Sequence, residues 1–386
     1  MDFKPLVDFL DNYLPMLGIP GSDTVVYRNH EPIFRHTVGY DDIRFGTPAR
    51  NNALYNMYSI TKVSLATSAM QLIERGEIML NDPLYAYIPE YRDVKVKMIG
   101  VSGEEIYEDA RSPILIRHLL SMTSGLGYTI GAPSVLEEIE RTGGRAPTVD
   151  IARALAKEPL SFHPGESFKY SFSHDVMGAV IEIVSGMKLS EYMKTNIFEP
   201  LGMENTGFDR SDEVFDRVAE QYQRNTDGTI LKMDKRVNRF VFGTEYESGG
   251  AGLISSVSDQ ILLADALASG GVGKNGERIL SKFAIDVMRT NMLNSEAQAE
   301  FNRSTAPGGK QGYGYGLGVR VNVDPASAGN LAPKGEFGWD GAMASYLSAD
   351  PTTGLSVFHA EHVTGFSSHP LVHPRLRNLV YCCVGE

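Results

Sequence analysis

The stretch Asn56 to Gly76, NMYSITKVSLATSAMQLIERG, constrains this chain more than any other. No charged residue lies between Lys62 and Glu74, and Ala, Leu, Val, Met, Ser and Thr occupy every side of the helix that the spacing predicts. A helix that is apolar or small all round is buried inside a sizeable protein. It opens on Ser59-Ile60-Thr61-Lys62, which sets a hydroxyl and an amine one turn apart on one face. A buried lysine must find a partner, line a cleft or give up its proton. Beside a serine, such an amine makes an activated nucleophile.

A Ser-x-x-Lys spacing is short enough to recur by chance, and Ser185-Gly186-Met187-Lys188 is a second match. There Gly186 follows the apolar helical run Val176 to Val184 and marks a helix end, so that pair shares no buried face.

With 386 residues the chain is long enough for a large core and two structural lobes. Its 48 acidic and 36 basic residues give a net charge of −12, so neither nucleic acid nor a membrane is expected as a partner. Asp2, Asp8 and Asp11 interrupt the N-terminal apolar residues, while Phe3, Leu6, Val7, Leu10, Tyr13 and Leu14 fall at helical spacing. That pattern predicts a docked amphipathic helix rather than a secretion signal. No apolar run is long enough to span a bilayer. The two cysteines, Cys382 and Cys383, are adjacent and offer neither a disulfide framework nor a zinc-ligand spacing. A cytoplasmic protein without cofactor or metal is the expectation.

In chain order, Asp23 to Arg28 and Pro32 to Gly39 predict a hairpin. Helices are expected over Pro113 to Ser121, Thr148 to Lys157, Val176 to Val184 and Leu189 to Ile197. Ser211 to Tyr246 is polar and charged and is expected as a surface excursion. A glycine cluster, Ser248 to Leu253, leads into a helix from Val257 to Ala268 capped by Ser256 or Ser258; it lacks the residues of a P-loop and the spacing of a dinucleotide fingerprint. Strands are expected over Tyr315 to Val323, at Phe337, and over Tyr346 to Ala349 and Leu355 to His362, before a helix from Leu371 to Tyr381. Strands at both ends and helices between predict a mostly antiparallel sheet built from both termini, flanked by helices, with a mainly helical lobe inserted. The expected division is residues 1–80 and 245–386 for the α/β sheet domain and 81–244 for the helical lobe, within one catalytic unit.

An ordered series of landmarks then carries a family resemblance. Ser59 to Lys62 is followed by RHLLSMTSGL (Arg117 to Leu126), PLSFHPGESFKYS (Pro159 to Ser171), PLGMENTGF (Pro200 to Phe208), GGAGLISSVSDQ (Gly249 to Gln260), YGYGLGV (Tyr313 to Val319) and FGWDGAMASYLSADPTTGLSVF (Phe337 to Phe358). The sequence resembles the serine hydrolases related to class C β-lactamases and penicillin-recognising enzymes, from about residue 20 to the C-terminus. The resemblance implies a serine β-lactamase/transpeptidase-like α/β (α+β) fold and three catalytic motifs. The first is intact at Ser59 and Lys62. The second, Tyr-x-Asn in the family, matches Tyr170-Ser171-Phe172, with Phe in place of Asn. The third, Lys-Thr-Gly or His-x-Gly, matches Trp339-Asp340-Gly341. Literal Tyr-x-Asn at Tyr27-Arg28-Asn29 and His-x-Gly at His163-Pro164-Gly165 fall in the wrong places and are decoys.

By the resemblance, Ser59 is the nucleophile, Lys62 and Tyr170 share the general-base task, and the backbone N–H groups of Ser59 and Ala342 form the oxyanion hole. Phe172, Trp339, Asp340 and Gly341 are expected to contact substrate. Trp339 and Phe172 cannot replace the groups that bind a β-lactam's carboxylate and amide, which points towards a small-molecule ester. An amide is the alternative, since Asp340 suits a substrate amine as well as it suits a solvated turn. β-Lactamase or DD-peptidase activity, acyl transfer to an alcohol or amine, and a catalytically silent binding protein stay open beside it.

Other constellations are weaker. Ser173-His174-Asp175 are neighbours in sequence and cannot converge as a triad, and no Gly-x-Ser-x-Gly elbow occurs. His118 is expected as a satisfied core histidine. His359, His362 and His369 with Glu361 suggest a metal site, but His359 and His362 face opposite ways along a strand.

Overall fold

The computed structural model describes residues 1–365 and 368–385. Strands β1 (Gly21–Arg28) and β2 (Glu31–Asp42) form the expected hairpin, turning at Asn29 and His30 with φ of 50° and 70°. Left-handed residues at a two-residue turn match the twist of the flanking strands. The hairpin joins β3 (Thr47–Pro48) and five strands from the last quarter of the chain: β4 (Tyr313–Tyr315), β5 (Arg320–Asn322), β6 (Phe337–Asp340), β7 (Tyr346–Asp350) and β8 (Leu355–Glu361). The order is β4-β5-β6-β7-β8-β1-β2-β3, antiparallel at every pair. Strands from the two ends of the chain thus share one sheet, as their positions in the sequence predict.

Alternation divides each strand between two cores. Val26, Tyr346, Leu355 and Val357 pack with Leu6, Leu10 and Leu14 of the N-terminal helical segment and with Val372, Leu376 and Val380 near the C-terminus. Val25, Phe337, Trp339, Leu347 and Phe358 face the other way, into the larger core. Four helices frame the site and the sheet behind it: α1 (Thr61–Glu74), α2 (Ser173–Ser185), α3 (Val257–Ala268) and α4 (His373–Val384). Helix α3, capped by the Ser256 hydroxyl on the Asp259 N–H, packs on β1, β7 and β8. Helix α1 runs through the larger core, buried from Thr61 to Leu72. Two of its buried hydroxyls bond back along the helix: Thr67 Oγ1 donates to Val63 O (2.9 Å) and Ser68 Oγ to Ser64 O (3.0 Å), four residues back.

One expectation needs correction. Ser211 to Tyr246 is not a surface excursion: it holds a short helix (Asp212–Arg217) and a hairpin (Gln221–Arg224 with Ile230–Met233), and it buries Phe215, Val218, Tyr222, Phe240 and Tyr246. Its apolar residues are spaced irregularly among charges, so no period betrays them. Among the described residues no helix is long and apolar enough to cross a membrane. Cys382 and Cys383 are both free.

Candidate active site

The strand Leu54–Asn56 delivers the chain into a 3₁₀ turn, Tyr58–Ile60, that leads directly into α1. The Met57 N–H donates to Leu253 O (2.9 Å) and the Leu253 N–H to Thr61 Oγ1 (3.1 Å), tying the turn to the glycine-rich segment. Tyr58, immediately before Ser59, holds φ at 45°. A bulky side chain there costs energy, so the surrounding structure must hold the backbone in that shape. Ser59 is half-buried at the mouth of the helix, and Lys62 is fully buried one turn in.

The Lys62 ammonium donates to Gly250 O (2.7 Å), lies 3.4 Å from Ser59 Oγ and sits 4.5 Å from the centre of the Tyr170 ring. Beneath it is Asp175 of α2, whose Oδ1 accepts from Tyr246 Oη (2.9 Å), Ser248 Oγ (2.6 Å) and the Gly250 N–H (3.4 Å). Burial pushes the Asp175 carboxyl up, and the Lys62 charge with these donors opposes it. A Cβ on Gly250 would lie 2.5 Å from Asp175 Oδ2 and 3.3 Å from Lys62 Nζ. Only glycine lets the backbone pass between the two charges.

Tyr170 stands on the loop before α2. Trp339 of β6 stacks on it, 5.7 Å between ring centres, and the indole Nε1–H donates to Tyr170 Oη (3.1 Å). Tyr315 of β4 packs edge-on against Trp339, and Tyr128 edge-on against Tyr170. Ser59, Lys62, Tyr170 and Trp339, drawn from three separate stretches of sequence, are therefore brought together. Trp339→Phe keeps the stack and removes the N–H. We expect it to lower kcat on an ester about tenfold; an unchanged kcat would make the indole a wall and nothing more.

The remaining expected residues are placed differently. Alternation along β6 sends Asp340 to the face opposite Trp339, where it is buried and ion-paired with Lys310 and Arg320 (3.4 Å to the latter). It is neither a solvated turn carboxylate nor free to meet a substrate amine, and those two cations hold it well below the usual carboxylate range. Phe172 is buried against Tyr128 and Phe242 and borders a small cavity of about 170 Å³ with Leu126, Leu155 and Lys169. Gly341 follows β6 against the nucleophile turn: a Cβ there would lie 2.7 Å from Met57 O. Ala342 is exposed in the turn after β6.

Ser173, His174 and Asp175 disperse as their adjacency predicts. Ser173 Oγ pairs with Ser171 and Ser124, and His174 Nε2 donates to Leu120 O (3.3 Å). His118 receives the Leu115 N–H on Nδ1 (3.2 Å), a helix-capping role that fits a neutral ring; burial lowers it to about 4. His359 is bonded to Thr24 Oγ1 and Glu361, while His362 donates to Tyr40 O, so those two do not converge. The residues that sequence reasoning missed are Tyr128, Asp175, Tyr246 and Ser248. Tyr128 follows the Arg117 to Leu126 landmark by two residues, which is the one local signal that any of them left.

An antiparallel sheet backed by both chain ends, with a buried helix that opens on Ser-x-x-Lys under a tyrosine, defines the class of penicillin-recognising serine enzymes. The chain belongs to the β-lactamase family, whose model matches residues 6–371. It is 30% identical over 346 residues to Protein Rv1367c of Mycobacterium tuberculosis, covering 88% of this chain and 85% of that protein. It is 29% identical over 372 residues to Esterase EstB of Burkholderia gladioli, covering 90% and 87%. Among solved structures, EstCE1, described as a hydrolase with promiscuous acyltransferase activity, superposes with a TM-score of 0.79 at 26% identity and covers 98% of both chains.

Proposed function

We propose that this protein is a serine hydrolase of small-molecule esters that works through an acyl-Ser59 intermediate. The observation that carries the reading is the Lys62 amine, fully buried yet within 3.4 Å of Ser59 Oγ and under the Tyr170 ring. Ser59 Oγ attacks the ester carbonyl and passes its proton to the Lys62/Tyr170 pair; the oxyanion takes the N–H groups of Ser59 and Ala342. The pair then returns the proton to the leaving alkoxide, and water repeats the sequence in reverse to release the acid.

Ester rather than β-lactam is supported by the third motif. Its Trp339 N–H is bonded to Tyr170 and its Asp340 to Lys310 and Arg320, so no side chain at that position is free to hold a substrate carboxylate. The esterase and hydrolase relatives agree with this choice. The amine-recognising reading loses its support, because Asp340 is already paired. Acyl transfer to an alcohol is the second reading, favoured by the activity described for EstCE1.

The test compares p-nitrophenyl butyrate with nitrocefin, without and with a short-chain alcohol. The expected result is at least about a hundredfold preference in kcat/KM for the ester. Faster nitrocefin turnover would overturn the reading of Trp339. Alkyl butyrate formed from the alcohol in excess over free butyrate would make acyl transfer the main activity.

A further inference from the structure

The turn that carries Ala342 is held from behind in a way that the reaction steps do not use. The Gly341 N–H donates to Ser345 O (2.8 Å), the Ala344 N–H to Gly341 O (3.0 Å), and Ala344 takes φ of 65°. A left-handed residue with a Cβ costs about 1–2 kcal/mol, so the turn keeps its shape only if its surroundings fix it. Two histidines beside the start of α4 do this. His369 Nε2 lies 3.1 Å from Gly341 O, and His373 Nε2 lies 3.1 Å from Ala344 O. A carbonyl only accepts, so each Nε2 carries hydrogen and donates.

The planarity of one peptide unit makes this a statement about Ala342. The Gly341 carbonyl and the Ala342 N–H belong to the same trans unit and point in opposite directions. A donor that grips the carbonyl from the α4 side therefore aims the N–H away from α4, and Trp339 lies on the face of β6 opposite Asp340 and its two histidine neighbours. The same bond polarises the peptide and strengthens its N–H as a donor.

Asp340, His369 and His373 also bring metal-ligand atoms within 4.8 Å of one another, and His373 Nδ1 is buried without a hydrogen-bond partner. The charge balance disfavours a cation there. Asp340 is already paired with Lys310 and Arg320, and a divalent ion would meet both positive charges at one carboxylate.

Resting on the acyl-Ser59 reading, we infer that His369 is a positioning residue for the oxyanion hole: through the Gly341 carbonyl it aims and polarises the Ala342 N–H. The test uses two substitutions of similar size in the full chain. His369→Met removes the donor, whereas His369→Gln keeps an N–H at the position of Nε2. Rates are expressed per active site titrated with a fluorophosphonate. His369→Met is expected to lower kcat on p-nitrophenyl butyrate by about 10–100-fold with KM within about twofold, and to weaken butylboronic acid, whose adduct mimics the tetrahedral intermediate, by the same factor. His369→Gln is expected to recover most of both.

A merely structural role would lower the unfolding midpoint and the titrated fraction, leaving kcat per site and boronate affinity unchanged; that result overturns the inference. If His369→Met does not fold, His369→Gln is compared with His369→Ala on the same readouts. Failure of the underlying reading is separately visible: Ser59→Ala would still turn over ester.

Discussion

Replacing Lys62 with Met is expected to lower kcat/KM on p-nitrophenyl butyrate by about 10³-fold or more, almost entirely through kcat. The side chain is buried and of similar length, so the pocket keeps its shape while Ser59 and Tyr170 lose the amine that shares the general-base task. The folded state changes in a way that can be read independently. Burial pushes the Asp175 carboxyl up, and Lys62 is the charge that most opposes this. A carboxyl with a raised folded pKa contributes stability that is fully present below its unfolded value and is lost as pH rises through the folded one. With Lys62 gone the folded value rises further, so the variant is expected to lose stability with increasing pH above about 4 more steeply than wild type. Urea unfolding at several pH values checks this. Activity within about tenfold of wild type would remove Lys62 from the mechanism, and parallel stability curves would remove its coupling to Asp175.

Asp175→Ala is the second large effect, and it falls on the fold. The substitution strands the Tyr246 and Ser248 hydroxyls and the Gly250 N–H in a buried site and leaves the Lys62 charge without a facing carboxylate. Breaking a buried charge arrangement from one side costs about 3–5 kcal/mol. Asp175→Asn keeps an acceptor oxygen and is expected to recover about half of that, since only the charge is lost. Because the Gly250 carbonyl also orients Lys62, both variants are expected to lose activity beyond their loss of folded protein. An unchanged urea midpoint for Asp175→Ala would mean that the network contributes nothing to the fold.

How much of this fold is legible in the sequence depends on the range of the interaction involved. Ser59 and Lys62 are legible because helical spacing puts both on one face, and the unbroken apolar run after them says the face is buried. The β1–β2 hairpin is legible because Asn29-His30 sits between β-prone runs. A sheet drawn from both termini follows from where strand-like segments lie. Asp175 leaves no such signal: its partners, Tyr246, Ser248 and Gly250, stand 71, 73 and 75 residues further along the chain, and in sequence it looks like one third of a false triad. Asp340 is misread in sequence because its partners Lys310 and Arg320 reach it only through the folded sheet. The burial of Phe240 and Tyr246 stays hidden because a loop that buries occasional aromatic residues has no period.

A tryptophan at the third motif looks in sequence like the simple loss of an anion-binding cation. In the folded chain its N–H meets the Tyr170 hydroxyl, so the position holds another group of the proposed catalytic set.

The most direct measurement of the central proposal is to mix the enzyme with p-nitrophenyl butyrate, quench in acid within the first turnovers, and locate the acyl group by peptide mass spectrometry. A butyryl group on Ser59 in wild type, and none in Ser59→Ala, is the predicted result. Ester turnover that persists in Ser59→Ala, or a butyryl group on a different residue, would contradict it.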